Sequence, residues 1–394
     1  MPRIADVLER ESRTVDLEQG DFERLLGRRE LKERNRRIRA GALGVIVAIA
    51  TGLVLARSLT SERTTADRPR PTPAALGSLA YTLDGDVYVA DPDGSNAVRI
   101  ADGLGDDDCV SADGFQYGAA GPMWSPDGRY LAYRYSDCSD EFGRGGVVIS
   151  DAEGNVTAKF PSGPYEIGWS PDSTRVAVWD SIGDPVANGG YPIGIYGLDG
   201  DRQTQLTVPL GMHPGGEHGP MWLPHGEALM FPWSDVVIPI DGSTPYHLEL
   251  ADLPGDGLVT YSPDGSLVAY VTLRSLTVAR SDGSEPRKVL GEWAGSLTWS
   301  PTGDRIAFTK HGPGDASIRN ELGVIDVATG SVTLLTEAER GSGLWVIGFS
   351  PQGDRVLFSK TSDRGASSLW SVGVDGSDAR LLVAGTDSGD WLTR

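Results

Sequence analysis

The sequence predicts an all-β, seven-bladed propeller closed by its C-terminal strand, and two series of turns carry the prediction. Six segments join an aromatic residue to a Pro-containing turn: Trp124-Ser125-Pro126-Asp127-Gly128, Trp169-Ser170-Pro171-Asp172, Trp222-Leu223-Pro224-His225-Gly226, Tyr261-Ser262-Pro263-Asp264-Gly265, Trp299-Ser300-Pro301-Thr302-Gly303 and Phe349-Ser350-Pro351-Gln352-Gly353. Their prolines lie 45, 53, 39, 38 and 50 residues apart, the period of a four-stranded blade rather than of a helical solenoid. A second series, Asp93-Gly94, Glu153-Gly154, Asp199-Gly200, Asp241-Gly242, Asp282-Gly283, Thr329-Gly330 and Asp375-Gly376, falls between short apolar runs, as hairpin turns do.

Each Pro-containing turn has a local cause. Proline presets φ near −65° at the second turn position, Asp bonds nearby backbone, and Gly takes the left-handed position that strains a residue with a Cβ. Apolar runs such as Leu267-Val268-Ala269-Tyr270 and Val356-Leu357-Phe358 follow these turns, so the turns join the first and second strands of a blade, here named a and b from the axis outward. The second series joins strands c and d. Its first member has no opening strand before it, because Leu79-Ala80-Tyr81, Val87-Tyr88-Val89 and Ala97-Val98-Arg99-Ile100 supply only three strands. Gly389-Asp390-Trp391-Leu392 reads as an opening strand with no blade after it. Seven blades result if that strand closes the first, which also removes the edges of an open array.

The repeat resembles that of the TolB-like, WD-repeat-related propeller family over residues 78–394. The resemblance implies the fold. Rings of that family also serve as accessory domains of prolyl-oligopeptidase-type hydrolases and as parts of lyases, so function must come from the site.

The formal net charge is −20, and residues 1–60 hold a net +3, which leaves −23 for the remainder. So acidic a ring repels nucleic acid. Residues 40–56 form one uncharged apolar stretch of about 25 Å as a helix, enough for a short membrane span. Arg28, Arg29, Lys32, Arg34, Arg36, Arg37 and Arg39 precede it, against Arg57, Arg63, Arg68 and Arg70 after it, which puts the N-terminus in the cytoplasm and the propeller outside the cell membrane. Residues 57–77 read as a Pro/Thr-rich linker. Within the cytoplasmic segment 1–39, Ile4, Val7 and Leu8, then Phe22, Leu25 and Leu26, recur at helical spacing, as in two short amphipathic helices that dock on a partner or on lipid. This layout resembles actinobacterial single-pass proteins of the anti-sigma style, which implies a sigma factor as a candidate cytoplasmic partner.

Cys109 and Cys138 both fall in the exported part and, by strand topology, on one rim at one blade boundary, so a disulfide is expected. That rim, formed by the b–c and d–a connections, carries the long insertions, and loops on a repeat scaffold carry binding. Asp106, Asp107, Asp108, Asp113, Asp137, Asp140 and Glu141 make it acidic. Their spacing does not match an EF-hand, so a solvated acidic face is expected rather than a calcium site. His213, Glu217 and His218 lie on the same rim, without a zinc spacing. No Gly-x-Ser-x-Gly elbow occurs. The sequence therefore leads to a membrane-anchored, non-enzymatic module without cofactor that binds a protein or cell-envelope ligand on the long-loop rim. Two alternatives remain beside it: a transmembrane regulator acting through residues 1–39, and a propeller enzyme using the acidic or His-containing rim.

Overall fold

In the computed structural model, the chain divides into units Met1–Pro69 and Arg70–Arg394. The structure describes residues 72–393 except 73, 76, 103–119, 137–144, 163–166, 180–189, 211–218, 232–234, 251–252, 254–256, 273–274, 293, 312–318, 340 and 387. Among the described residues, 28 strands form seven four-stranded antiparallel sheets. The protein is a seven-bladed propeller, as its turns predict. No helix long and apolar enough to cross a membrane occurs among these residues. The expected transmembrane helix at 40–56 and the short cytoplasmic helices lie outside them, as do Cys109 and Cys138.

Alternation along the strands explains how the blades stack. In strand b of the third blade, Arg175–Trp179, the side chains of Val176 and Val178 enter one core cluster with Ile149 and Phe160 of the second blade. Ala177 and Trp179 enter another with Leu229 and Phe231 of the fourth. A strand with both faces covered is apolar where it is buried, and here Val176, Ala177, Val178 and Trp179 are all buried after the half-buried Arg175. Among the described residues, seven such clusters each straddle one blade boundary. The core is thus a closed circle of interfaces.

The recurring aromatic of the repeat also acts between blades. The indoles of Trp124, Trp169, Trp222 and Trp299 donate to the carbonyls of Ser78, Met123, Gly168 and Thr260 in the preceding blade, at 3.1, 3.0, 3.0 and 3.3 Å. In the five turns that carry a Ser, its hydroxyl donates to a nearby Asp, as Ser170 Oγ does to Asp172 at 2.6 Å, and accepts from the backbone of strand b, as from Arg175 N at 3.0 Å. The third blade departs from the pattern with Ser173 at φ 59°, where glycine is usual. Its hydroxyl accepts the Asp127 amide of the second blade at 2.9 Å, an inter-blade bond that offsets the backbone strain.

Strand Gly389–Trp391 pairs with Leu79–Leu83 in the register Leu79↔Trp391, Ala80↔Asp390 and Tyr81↔Gly389. The predicted closure is therefore present. Leu392 N donates to Ser78 O at 3.0 Å and Gly77 N donates to Leu392 O at 2.8 Å. The first matches Ser125 N to Tyr130 O, 2.8 Å, in the continuous turn of the second blade, and the second closes the turn as Gly128 N to Ser125 O does there, also 2.8 Å, from one residue nearer the second strand. Two separate pieces of chain thus rebuild one turn.

Candidate functional site

All seven blades contribute to one cavity of about 480 Å³ on the ring axis, which opens among the a–b turns. Its wall repeats: Trp124 and Pro126, Trp169 and Pro171, Trp222 and Pro224, Tyr261 and Pro263, Trp299 and Pro301, then Phe349, with Asp390 and Thr393 from the first blade. The residue just before each aromatic forms an inner collar. Six of these are uncharged, namely Met123, Gly168, Met221, Thr260, Thr298 and Gly348. The seventh is Asp390.

Asp390 Oδ2 accepts the backbone amide of Trp124 at 2.8 Å, and Ser388 Oγ accepts that of Gly121 at 3.1 Å. Crowding by the inner strands pushes its carboxyl up to about 7, and the bonds from the Trp124 and Trp391 amides only partly oppose this. The solvent that still reaches the side chain does so from the cavity it lines. Across the cavity, burial, with Tyr246 and Glu227 nearby, pushes the Tyr261 phenol up to about 12. Tyr261 is therefore neutral at physiological pH, while Asp390 exchanges its proton near neutrality, a property common at functional sites.

A linked stability effect follows. A carboxyl raised in the folded state favours folding while protonated; that contribution is complete below about pH 4 and is lost as pH rises toward about 7. Asp390→Asn should therefore gain in melting temperature relative to the native protein between pH 5 and 7.5. An offset constant across that range would mean that Asp390 ionises normally.

A second recess of about 490 Å³ lies between the fourth and fifth blades, with His225, Glu227, His247, Glu249, Asp282 and Tyr261 in its wall. His247 Nδ1 and Asp235 Oδ1 are 2.8 Å apart. Among the described residues no group of three or more His, Cys, Asp or Glu could hold a metal ion.

The residues picked from sequence, Asp106, Asp107, Asp108, Asp113, Asp137, Asp140, Glu141, His213, Glu217 and His218, lie outside the described residues. The axial cavity opens on the other rim, that of the short turns. Sequence reasoning missed Asp390, although the signal was present: aligned on the aromatic of each repeat, the preceding position carries an ionisable residue once in seven.

No family model matches the chain, and no curated protein does. Solved structures do. TolB from Acinetobacter baumannii is 18% identical with a TM-score of 0.44, the match covering 79% of this chain and 65% of TolB. An oligogalacturonate lyase in complex with manganese is 18% identical with a TM-score of 0.50, over 75% of this chain and 86% of the lyase. A prolyl endopeptidase is 14% identical with a TM-score of 0.56, over 81% of this chain and half of the peptidase. The expectation of a non-enzyme is corrected here, because the same ring occurs in a lyase and in a peptidase, and the fold therefore gives no ground for excluding catalysis. What these likenesses establish is architecture: the chain is a seven-bladed β-propeller.

Proposed function

We propose that the chain is a ligand-binding propeller, held at a membrane by residues 40–56 with the ring outside, that takes its ligand in the axial cavity. The observation that carries the reading is the collar: seven blades converge on about 480 Å³ with a single carboxyl, Asp390, in an otherwise uncharged, Pro- and aromatic-rich wall. One ionisable group placed among aromatic, Pro and Met side chains in a concave site is a usual character of small-ligand sites. Thr298 lies in that wall, half-buried, so Thr298→Trp should fill the cavity while the blade interfaces stay packed. Saturation-transfer NMR with a mixed set of small organic fragments should show binders to the full chain that Thr298→Trp loses. Binding unaffected by the filled cavity would place the site elsewhere. The membrane part is tested by a reporter fused after Arg394 that is active only outside the cytoplasm. It should work, and a strictly cytoplasmic reporter should not.

A further inference from the structure

Three features of the axial cavity bear on what its ligand carries. First, the charge around Asp390 is unbalanced. Of the strands packed against it, Ala120–Trp124 and Gly343–Phe349 contain no ionisable residue, and Leu79–Leu83 contains only Tyr81, whose phenol burial pushes up. Tyr261, the other ionisable residue among those lining the cavity, is neutral. No cationic side chain lines the cavity among the described residues. A buried carboxylate without a counter-charge is costly, and a ligand that supplies one recovers that cost.

Second, the turns around the mouth are acidic. Asp172, Asp264 and Asp304 are held below the usual carboxylate range mainly by hydroxyl and amide hydrogen bonds from their own turns, and Asp127 by the guanidinium and amide of Arg129 against the opposing effect of burial, so all four remain ionised. Three of them have an arginine within 4 Å, Asp127 with Arg129 at 2.7 Å, Asp172 with Arg175 at 3.9 Å and Asp304 with Arg305 at 3.9 Å, so the negative field comes from the chain as a whole, whose net charge is −20. Such a field draws cations toward the mouth and repels anions.

Third, the cavity is much larger than a bare ion and offers one carboxylate. A hard cation such as calcium takes six to eight oxygen ligands, and no metal-holding group occurs among the described residues. The walls of Met123, Met221 and the Pro and aromatic side chains suit hydrocarbon instead.

We infer that the ligand of the axial cavity is an organic monocation, presenting one ammonium or guanidinium group to Asp390 with a short apolar body against the collar. The inference rests on the axial-binding reading above and adds the charge of the ligand to it. Because the cation pairs with the ionised carboxylate, binding releases a proton from Asp390 and strengthens as pH rises through neutrality.

The test uses the full chain and a matched pair of probes, n-butylammonium and its neutral counterpart 1-butanol, followed by saturation-transfer NMR and titration. At pH 8 the ammonium should bind at least about tenfold more tightly than the alcohol. Its affinity should fall several-fold at pH 6, whereas that of the alcohol should not change. Asp390→Asn should bring the two probes to similar affinity at both pH values, and n-butylguanidinium should behave as the ammonium does. Equal binding of ammonium and alcohol to the native chain, with both lost in Thr298→Trp, would overturn the cation and leave the cavity standing. Binding by neither probe would remove both. Preference for the ammonium that survives Asp390→Asn would overturn the assignment to this carboxyl.

Discussion

Deletion of residues 389–394 should turn a cooperatively melting ring into one that aggregates or melts far below the native chain. The deleted strand is the inner strand of the first blade and forms three pairs with Leu79–Leu83. Its loss would uncover a strand edge as well as two blade faces. Trp391 is 4% exposed and packs with Leu79 and Tyr81 of its own blade and Leu357, Leu369 and Val383 of the seventh. Removing that side chain alone, as Trp391→Ala, should cost about 3 to 5 kcal/mol in denaturant titration. A comparison of conservative variants separates packing from hydrogen bonding. Among the described residues the Trp391 indole N–H has no acceptor, whereas that of Trp222 donates to Gly168 O at 3.0 Å. Trp222→Phe should therefore cost about 1 kcal/mol more than Trp391→Phe, because it orphans a buried carbonyl. Equal costs would show that the inter-blade indole bonds contribute little. An unchanged melting temperature after deletion of the strand would show that it does not close the ring.

Gly168→Ala should lower stability by about 1 to 3 kcal/mol, the range for overpacking a well-filled interior. A Cβ at Gly168 would stand 2.0 Å from the carbonyl oxygen of Pro220 in the fourth blade. Backbone cannot swing aside as a flexible side chain can, so the third and fourth blades would have to separate. That movement also strains the Trp222 bond to Gly168 O. Gly343 is the control, since a Cβ there meets nothing within 4 Å, and Gly343→Ala should stay within about 0.5 kcal/mol. Equal effects at the two positions in equilibrium unfolding would show that blade spacing is soft at the third boundary.

The blades were legible because their signals are local. A Pro at the second turn position, a Gly or Ser at the left-handed one and an aromatic ahead of both are fixed by bonds within a few residues, as Ser262 to Asp264 at 2.6 Å illustrates. Even closure was legible, because an unpaired opening strand and a three-stranded first blade must be reconciled. The axial site was not, for a reason of register. Asp390 meets Trp124 across a separation of 266 residues, and it joins Thr260 and Gly348 in one collar only once every inner strand is placed at the same height. Attention to long acidic loops pointed to the opposite rim, since loop length is visible in a sequence and an axial cavity is not. His225, which replaces the turn Asp of its repeat, lines the recess between the fourth and fifth blades, a placement that needs both blades in position. The substitution of Ser173 for the turn glycine was visible too, but its bond to the Asp127 amide was not.

The turn rebuilt by Leu392 and Gly77 makes the ring indifferent to where its polypeptide is cut. By strand register Trp391 and Leu79 stand where Trp124 and Leu131 stand in the second blade, so three residues there, Pro126, Asp127 and Gly128, span the interval between the positions equivalent to Leu392 and Gly77. A Pro-Asp-Gly bridge from Leu392 to Gly77 would therefore make the seam within the first blade an ordinary covalent turn between its inner two strands. New termini could then be opened at Pro263–Asp264, where the turn is held by the same pair of bonds, Ser262 N to Leu267 O and Gly265 N to Ser262 O, both 2.9 Å. Such a circular permutant would carry its Velcro strand in the fifth blade and keep Asp390 in the collar. Blade number and cavity chemistry would then belong to the cyclic order of the repeats, and the position of the seam would become a free variable for whatever is fused to the ring.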